Sequence, residues 1–331
     1  MRTFNIYQRE TLDQQPVRIA TGLTVKNYSI DGLTKGKKYL FSVGAVKNGV
    51  EKIGNEKVIL AGSAWSPLNL TNPPKIVIDS INAVADGGNL VSQLTDLSGN
   101  GYNFTQQNQT RKPSLSFDHT LQKNVVIFDG DDDVLVGSSA LKSVFKNSNI
   151  IYSFFVVART SLDTVFRNRS LIFISTNGSK ARFVPQIGSS ENSIMMNMID
   201  FGSRRLDTDS FSNQSSNVQS TLDYQLLLFK VDYSSGIKKI YINGQVVSSE
   251  SVATGNISNA DSNENICLAA RQEATTGFER HSNIKFAEMI VGNRNISESE
   301  VDKVFGYLAH KYGLENKLPT NHPYKVLVPT I

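Results

Sequence analysis

The chain is poor in the features that mark disulfide-stabilised, membrane-inserted and nucleic-acid-binding proteins. Cys267 is the only cysteine among 331 residues, so no intrachain disulfide can form and the fold must depend on its core. No window approaches the ~18 apolar residues of a membrane helix, and the first residues lack the apolar stretch of a secretion signal. The formal net charge is only +4, with both signs interspersed. We therefore expect neither membrane insertion nor a nucleic-acid partner.

Motifs of common catalytic sites are also missing. The four histidines are scattered, and there is no H-E-x-x-H zinc motif, no G-x-S-x-G nucleophile elbow and no phosphate-binding loop. Glycoside hydrolysis would need two carboxylates held on either side of the scissile bond. Asp207 and Asp209 have an i, i+2 spacing, but they follow two arginines in a loop-like context. The sequence accordingly predicts a protein that is not an enzyme.

What is present is the pattern of an all-β protein with many turns. Only 19% of the residues are charged, and apolar runs bounded by Gly, Asn and Ser recur along the chain, which is typical of strands. Some runs are continuously apolar, as expected of strands covered on both faces: 154–158, 171–174 and 226–231. One α-helix is predicted over about 297–312, because Ser297 and Glu300 form a capping box and Gly313 follows as the stop signal.

Residues 95–136 hold a tight turn followed by a strand, an acidic turn and a second strand. Two glycines in the segment 96–101 reach positive φ without penalty, and Asp or Asn side chains there can bond their own backbone. The motifs D-L-S-G-N-G, R-x-P and F-D-G-x-D-D-x-L occur in this order. They resemble the laminin-G-like jelly rolls of the concanavalin A superfamily, and the region from the helix to Tyr324 is similar to the C-terminal signature of that group. The resemblance implies a jelly-roll sandwich over 76–324.

Residues 1–62 resemble the second half of a fibronectin type III module. The pattern Y-x-I-x-G-L-x-x-G-x-x-Y-x-F-x-V-x-A-V begins at Tyr28, and Tyr28 and Ile30 are expected to belong to a strand. Tyr39 would be the corner tyrosine that bonds back across the turn. The first two strands of the resembled sandwich have no counterpart in the sequence. This partial module is therefore expected to expose a sheet edge and an apolar face.

Three explanations of the missing strands stay open. The chain is a fragment of a longer protein, the strands come from a partner chain by strand addition, or the module is a reduced variant that packs on the second domain. Residues 63–75 are predicted to be a proline-containing linker, in which Trp65 packs between the domains. Residues 325–331 extend past the usual end of the jelly roll, and their apolar, β-branched character predicts an arm that packs on another subunit.

Two sets of residues are candidates for ligand binding. A hard cation binds several carboxylate and carbonyl oxygens, so the acidic loop is a candidate calcium site, with a purely structural turn as the alternative: Asp129, Asp131, Asp132 and Asp133. The resembled superfamily binds glycans by stacking an aromatic side chain on the sugar while polar groups bond its hydroxyls. The residues that correspond to this use are Tyr102, Phe278 and Arg280, with an ordinary surface loop as the alternative.

A fibronectin-like module followed by such a jelly roll, without disulfides or a secretion signal, looks like a bacteriophage virion protein. The resemblance implies a non-enzymatic structural or adhesion component of a tail fibre, a baseplate or a capsid decoration. It would be made in the host cytoplasm, displayed on the particle exterior, and attached to other virion proteins or to copies of itself, with surface glycans as ligands. A bacterial cell-surface carbohydrate-binding or adhesion protein is the second interpretation. A glycoside hydrolase-like enzyme is the third, although the E-x-D-x-x-E string of such members is absent.

Overall fold

A small N-terminal sheet precedes a large two-layered sandwich that carries one long helix. The computed structural model describes residues 2–25, 27–145, 148–176, 180–188, 196–205, 210–254, 265–273 and 277–331. Asp207 and Asp209 lie outside the described residues. Within the described ranges, no helix combines the length and the apolar character needed to cross a bilayer. The predicted all-β jelly-roll architecture is confirmed.

The N-terminal sheet is antiparallel and consists of β1 (Arg2–Arg9), β2 (Val17–Leu23), β3 (Lys38–Lys47), β4 (Val50–Ile53) and β5 (Lys57–Leu60). The strand order is β2-β1-β3, and β4 and β5 share the second edge of β3. The Tyr39 hydroxyl accepts a hydrogen bond from the Thr34 backbone N–H at 2.9 Å, as predicted for a corner tyrosine. The unit is a single sheet and not the small two-sheet sandwich that the resemblance implied.

The predicted strand at Tyr28 and Ile30 is wrong. Both residues lie in an irregular segment between β2 and β3, and Tyr28 is exposed. In a two-sheet module a strand at this place pairs within the second sheet, and the described chain supplies no such sheet. A segment with alternating apolar residues forms a strand only where a neighbouring strand can bond to its backbone N–H and C=O groups.

The strands of the sandwich are β6 (Ile76–Ala85), β7 (Val91–Asp96), β8 (Phe104–Thr105), β9 (Ser114–Asp118), β10 (Lys123–Asp129), β11 (Leu135–Gly137), β12 (Ile150–Arg159), β13 (Ile172–Thr176), β14 (Lys180–Gln186), β15 (Met198–Arg205), β16 (Ser210–Gln219), β17 (Gln225–Asp232), β18 (Ile237–Ile242), β19 (Gln245–Ser251), β20 (Cys267–Leu268), β21 (Arg271–Glu273), β22 (Gly277–Glu279) and β23 (Asn283–Gly292). The helices are α1 (Leu141–Val144) and α2 (Glu298–Tyr312), with 3₁₀ turns at Pro67–Asn69, Gln109–Arg111 and Glu315–Lys317. The front layer has the order β6-β23-β12-β17-β18-β19, and the back layer has the order β7-β8-β11-β20-β13-β14-β15-β16. β10 also pairs with β23 and with β9.

The front layer is covered on both faces, which explains its continuously apolar strands. In β12, Phe155 and Val157 belong to the core between the layers, whereas Phe154 and Val156 belong to a second core under α2. The ring of Phe305 in α2 meets Phe154 edge-on, with the ring centroids 5.3 Å apart. Successive side chains of a strand point to opposite faces, so a strand buried on both sides cannot alternate in polarity. The prediction for 154–158 is confirmed.

Helix α2 follows its sequence signals closely. The Ser297 side chain accepts from the Glu300 backbone N–H, the Glu300 carboxylate accepts from the Ser297 backbone N–H, and Gly313 ends the helix at φ 67°. The Glu300 carboxylate also accepts from the Thr71 backbone N–H at 3.0 Å. The cap therefore ties α2 to the linker as well as starting the helix.

The linker and the C-terminal segment pack against the same chain. Trp65 is buried and meets Tyr307 of α2 edge-on, with the ring centroids 6.1 Å apart. We call residues 325–331 the strap. The Val328 N–H donates to the Gly36 carbonyl at 2.7 Å, and Thr330 forms a β-bridge with Ala64. The segment thus bonds to backbone groups of the N-terminal unit and the linker of its own chain. Packing of its exposed side chains, such as Val326, on another subunit stays a prediction.

Candidate functional site

The acidic loop after β10 is held by its own backbone. The Asp129 carboxylate accepts from the Asp131 N–H at 2.8 Å, and the Asp133 carboxylate accepts from the Asp129 N–H at 2.9 Å. Ligand atoms of Asp129, Asp132 and Asp133 lie within 4.8 Å of one another, while Asp131 is outside this group. Gly130 has φ 86°, which a glycine adopts without strain. The turn is thus structural, and three of the four predicted calcium ligands are also close enough to share one cation.

The arrangement disfavours the charged form of the Asp133 carboxyl. Burial, with the neighbouring aspartates, raises the pKa of its carboxyl to about 7. Its side chain is buried, whereas Asp129 and Asp131 are exposed. A bound cation or a proton would neutralise this carboxylate, and calcium binding stays a prediction.

Replacing Asp133 with asparagine is expected to flatten the pH dependence of stability. A carboxyl whose folded pKa lies above its ordinary 3.8 stabilises the fold at low pH, and that contribution is lost as the pH rises to about 7. Asparagine stays neutral and can still accept from the Asp129 N–H. The variant should therefore exceed the wild type at pH 8 by on the order of 4 kcal/mol in denaturant melts and match it near pH 4. Asp131→Asn is the exposed control, and parallel curves for Asp133→Asn and wild type would contradict the assignment.

Two buried arginines hold the acidic loop in place. The Arg169 guanidinium donates to the carbonyls of Gly130 at 2.7 Å and His281 at 2.6 Å. Arg169 and Arg159 both pair with the Asp163 carboxylate, at 2.6 and 2.8 Å. We call these three charged residues the arginine knot. It joins segments that are far apart in the sequence, and no motif marked its members.

Phe278 and Arg280 lie beside the acidic loop. The Arg111 guanidinium, which belongs to the R-x-P motif, lies 5.1 Å from the centroid of the Phe278 ring. The Arg111 carbonyl accepts from the Val134 N–H, directly after the loop. Next to Arg280, the His281 Nδ1 is 3.1 Å from the Asp133 carbonyl oxygen. The structure therefore brings together the predicted calcium loop and two of the three predicted glycan residues. We call this surface the loop site.

Tyr102 is not part of the loop site. Its backbone N–H donates to the Asp96 carboxylate at 3.0 Å within the D-L-S-G-N-G turn, and its half-buried side chain packs against the core between the layers. Phe278 instead packs against the small cluster of Val134, Cys267 and Ala270. The backbone of Tyr102 thus helps to close this turn, and a part of its side chain in ligand binding stays a prediction.

A close pair of carboxylates does exist, but a polysaccharide cannot reach it. Asp79 and Glu288 are cross-strand neighbours on β6 and β23, and both contact Lys311. Glu288 is fully buried under α2 and Asp79 is 4% exposed. A glycosidase needs its two carboxylates on either side of a bound sugar. This geometry gives no support to hydrolysis at these two residues.

The N-terminal sheet leaves one apolar face uncovered. The strand register places Phe4 opposite Ala45 and Ile6 opposite Val43 on the same face, and Val43 is 51% exposed. The other face is polar, since Glu51 there accepts hydrogen bonds from Asn5 and Tyr7. We call the apolar side the open face: Phe4, Ile6, Phe41, Val43, Ala45 and Ile59.

A depression of about 450 Å³ at one end of the open face has a basic rim. Val43, Ala45, Val50 and Ile53 form its apolar part. The charged residues that line it are all cationic: Arg2, Lys47 and Lys52. An uncovered apolar surface with a charged border of one sign is typical of a protein–protein contact site.

Comparison with solved structures finds distant β-sandwich likenesses. The binding domain of botulinum neurotoxin serotype D/C is 13% identical with a TM-score of 0.46, covering 71% of this chain and 52% of that one. A Ruminococcus gnavus sialidase CBM40, bound to α2,3 sialyllactose, is 16% identical with a TM-score of 0.38, covering 49% and 83%. Trypanosoma rangeli sialidase, in complex with sialic acid, is 10% identical with a TM-score of 0.42, covering 91% and 47%. The chain spans about half the length of the neurotoxin and sialidase chains.

No protein-family model matches the sequence. A search of curated proteins also finds no match. At these identities and TM-scores, the structural likenesses do not identify a ligand or an activity.

Proposed function

We propose that the chain is a non-enzymatic structural and adhesion protein of a bacteriophage particle, in a tail fibre, a baseplate or a capsid decoration. In this proposal the fibronectin-like N-terminal unit attaches to a neighbouring virion protein and the jelly roll is presented outward. The observation that carries the proposal is the open face, which leaves Val43 and Ile59 exposed while the strap holds the sheet to the sandwich. Such a surface is costly in a free monomer and useful in an assembly.

The rim charge favours a different protein over a second copy. Two copies that met face to face would bring Arg2, Lys47 and Lys52 against one another, and like charges across an interface oppose association. A partner with an apolar patch bordered by Asp and Glu would satisfy both features. The direct test is antibody labelling of intact particles that carry the gene, with surface labelling expected. Absence of the chain from purified particles would reject the virion role.

Surface glycans are the proposed ligands of the jelly roll, at the loop site. The Phe278 ring offers a stacking surface, and Arg111 and Arg280 offer donors to sugar hydroxyls. The same surface fits the second interpretation, a bacterial cell-surface carbohydrate-binding protein, because glycan binding does not depend on a particle. Labelling of particles separates the two interpretations.

Replacing Phe278 with alanine is expected to weaken glycan binding about tenfold or more, since an aromatic anchor commonly dominates such a contact. The measurement is titration of labelled protein on an array of bacterial surface polysaccharides. Phe117→Ala is the matched control, because Phe117 is a 50% exposed aromatic on β9. Equal losses for both variants would contradict the loop site. Release of shortened glycans by the wild type would instead reveal an enzyme.

A further inference from the structure

A lysine, an aspartate and a glutamate meet in the second core, between the front layer and α2. The Lys311 Nζ lies 2.7 Å from the Asp79 Oδ2 and 2.6 Å from the Glu288 Oε2. Asp79 and Glu288 are direct cross-strand partners, 4% and 0% exposed. We call these three residues the Lys–Asp–Glu cluster. Two buried carboxylates share one ammonium group there, and the Lys311 side chain is partly exposed.

The Asp79 carboxyl is oriented by its surroundings. Its Oδ1 accepts from the Ile81 backbone N–H at 2.9 Å, while its Oδ2 faces the Lys311 amine. An N–H aimed at a carboxyl oxygen stabilises the negative charge that develops when a nucleophile adds to the carbon. Fixing amine and carboxyl in contact also replaces a bimolecular encounter, and well-oriented pairs reach effective molarities of about 10⁵ M or more.

Glu288 is placed to move protons at the amine. Burial, with the nearby Asp79, outweighs the Lys311 ammonium and raises the pKa of Glu288 to about 7. Burial lowers the pKa of Lys311, but the two carboxylates outweigh burial and raise it. The amine is therefore charged at rest and has to release a proton before it can attack. Glu288 can accept and return that proton near neutral pH, and the Tyr312 hydroxyl donates to its Oε2 at 2.8 Å.

We propose that Lys311 and Asp79 condense into an isopeptide bond that joins α2 covalently to β6. Glu288 takes a proton from the ammonium, and the lone pair of Nζ forms a bond to the Asp79 Cγ. Glu288 then delivers that proton to Oδ2, takes the second proton from the bonded nitrogen, and passes it to the same oxygen as the Cγ–Oδ2 bond breaks with its electron pair on oxygen. The ammonium loses two protons and the carboxylate loses one oxygen, and together they leave as one water molecule. No oxidant, metal or other reactant takes part.

The mass of the wild-type chain tests whether the isopeptide bond forms. We expect the intact denatured protein to be lighter than its sequence by one water molecule. Trypsin should yield one joined species that contains residues 76–111 and 304–317, uncut after Lys311. The Lys285–Asp118 ion pair, at 3.0 Å, is an internal control without a neighbouring glutamate in contact, and its peptides should stay separate. A full sequence mass in folded, aged protein would overturn the proposal.

Three variants separate the chemistry from simple ion pairing. Glu288→Gln keeps the side-chain shape but cannot carry the proton, so the mass deficit should disappear or form far more slowly. Lys311→Arg keeps the positive charge and should show the full mass calculated for its own sequence. Asp79→Asn should lose ammonia instead of water and arrive at the same final mass as the reacted wild type. A deficit that persists in Lys311→Arg would place the lost water elsewhere and reject the bond.

Discussion

Replacing Asp163 with alanine is expected to lower the free energy of unfolding by about 3–5 kcal/mol, because it leaves two buried guanidinium groups without their counter-charge. Arg159 is 1% exposed and Arg169 is 6% exposed. Arg159 also donates to Asn283 at 2.8 Å and to the Ile187 carbonyl. Its guanidinium is therefore committed to the interior and cannot turn outward to water. The measurement is urea unfolding of wild type and variant at pH 7.

Asp223→Ala is the matched control for the arginine knot. The Asp223 side chain is 81% exposed and lies 3.5 Å from Lys317, so its loss should change stability by less than about 0.5 kcal/mol. Equal effects of the two substitutions would show that the knot is not a stabilising centre. Because the knot anchors Gly130 and His281, Asp163→Ala should also weaken the proposed glycan binding at temperatures where the protein is still folded.

The arginine knot also predicts acid sensitivity. Burial opposes the charge on Asp163, but the hydrogen bonds from Arg169 and Arg159 outweigh burial and lower the pKa of its carboxyl. A depressed folded pKa gives stability that is present above the ordinary value of 3.8 and is lost as the pH falls through the folded value. This dependence is opposite in sign to that of Asp133. As the pH is lowered, the free energy of unfolding of the Asp163→Ala variant should therefore fall less steeply than that of the wild type.

Replacing Gly36 with alanine is expected to release the strap. Gly36 has φ 83°, and an added Cβ would lie 2.6 Å from the Val328 carbonyl oxygen. Gly32 has φ 76° with nothing within 4 Å, so Gly32→Ala bears the same kind of backbone strain without the clash. The strain costs about 1–2 kcal/mol at either position, and the clash should add about 1–3 kcal/mol at Gly36 alone.

The readout for the strap is limited proteolysis followed by mass spectrometry. We expect cleavage in the N-terminal sheet to be faster in Gly36→Ala than in Gly32→Ala, while the sandwich stays resistant in both. Removal of residues 326–331 should reproduce the effect and keeps Lys325, whose ammonium bonds the carbonyls of Glu315 and Leu318 at 2.7 and 2.6 Å. Identical digestion patterns for all three proteins would mean that the strap does not stabilise the sheet.

Local signals in the sequence predicted the elements that depend on near neighbours. Ser297 and Glu300 predicted the start of α2, and Gly313 predicted its end. The run 154–158 predicted a doubly covered strand because burial on two sides leaves no place for polar residues. In each case the physical cause lies within a few residues of the pattern.

The features that the sequence could not predict depend on contacts between residues that are far apart in the chain. Apolar β-branched residues in the strap predict pairing, but only the fold shows that the free backbone groups are at Gly36 and Ala64. In the sequence, Asp163 cannot be distinguished from any other loop aspartate. Only the fold shows that Arg159 and Arg169 both pair with its carboxylate. Phe278 was predicted to be a stacking residue, while its neighbour Arg111 was visible only as part of the R-x-P motif. Tyr28 and Ile30 alternate correctly but have no strand to pair with.

The strap has a consequence for how the chain carries load. In the proposed adhesion role, the chain would be pulled between the open face and the loop site. Without the strap, the tension would pass through the linker alone. With Val328 and Thr330 bonded across the joint beside the linker, two parallel connections share the force, and the bonds of the second must break before the joint can swing. At low force the joint between the two units should stay rigid. It should become flexible only after the hydrogen bonds of the strap have broken.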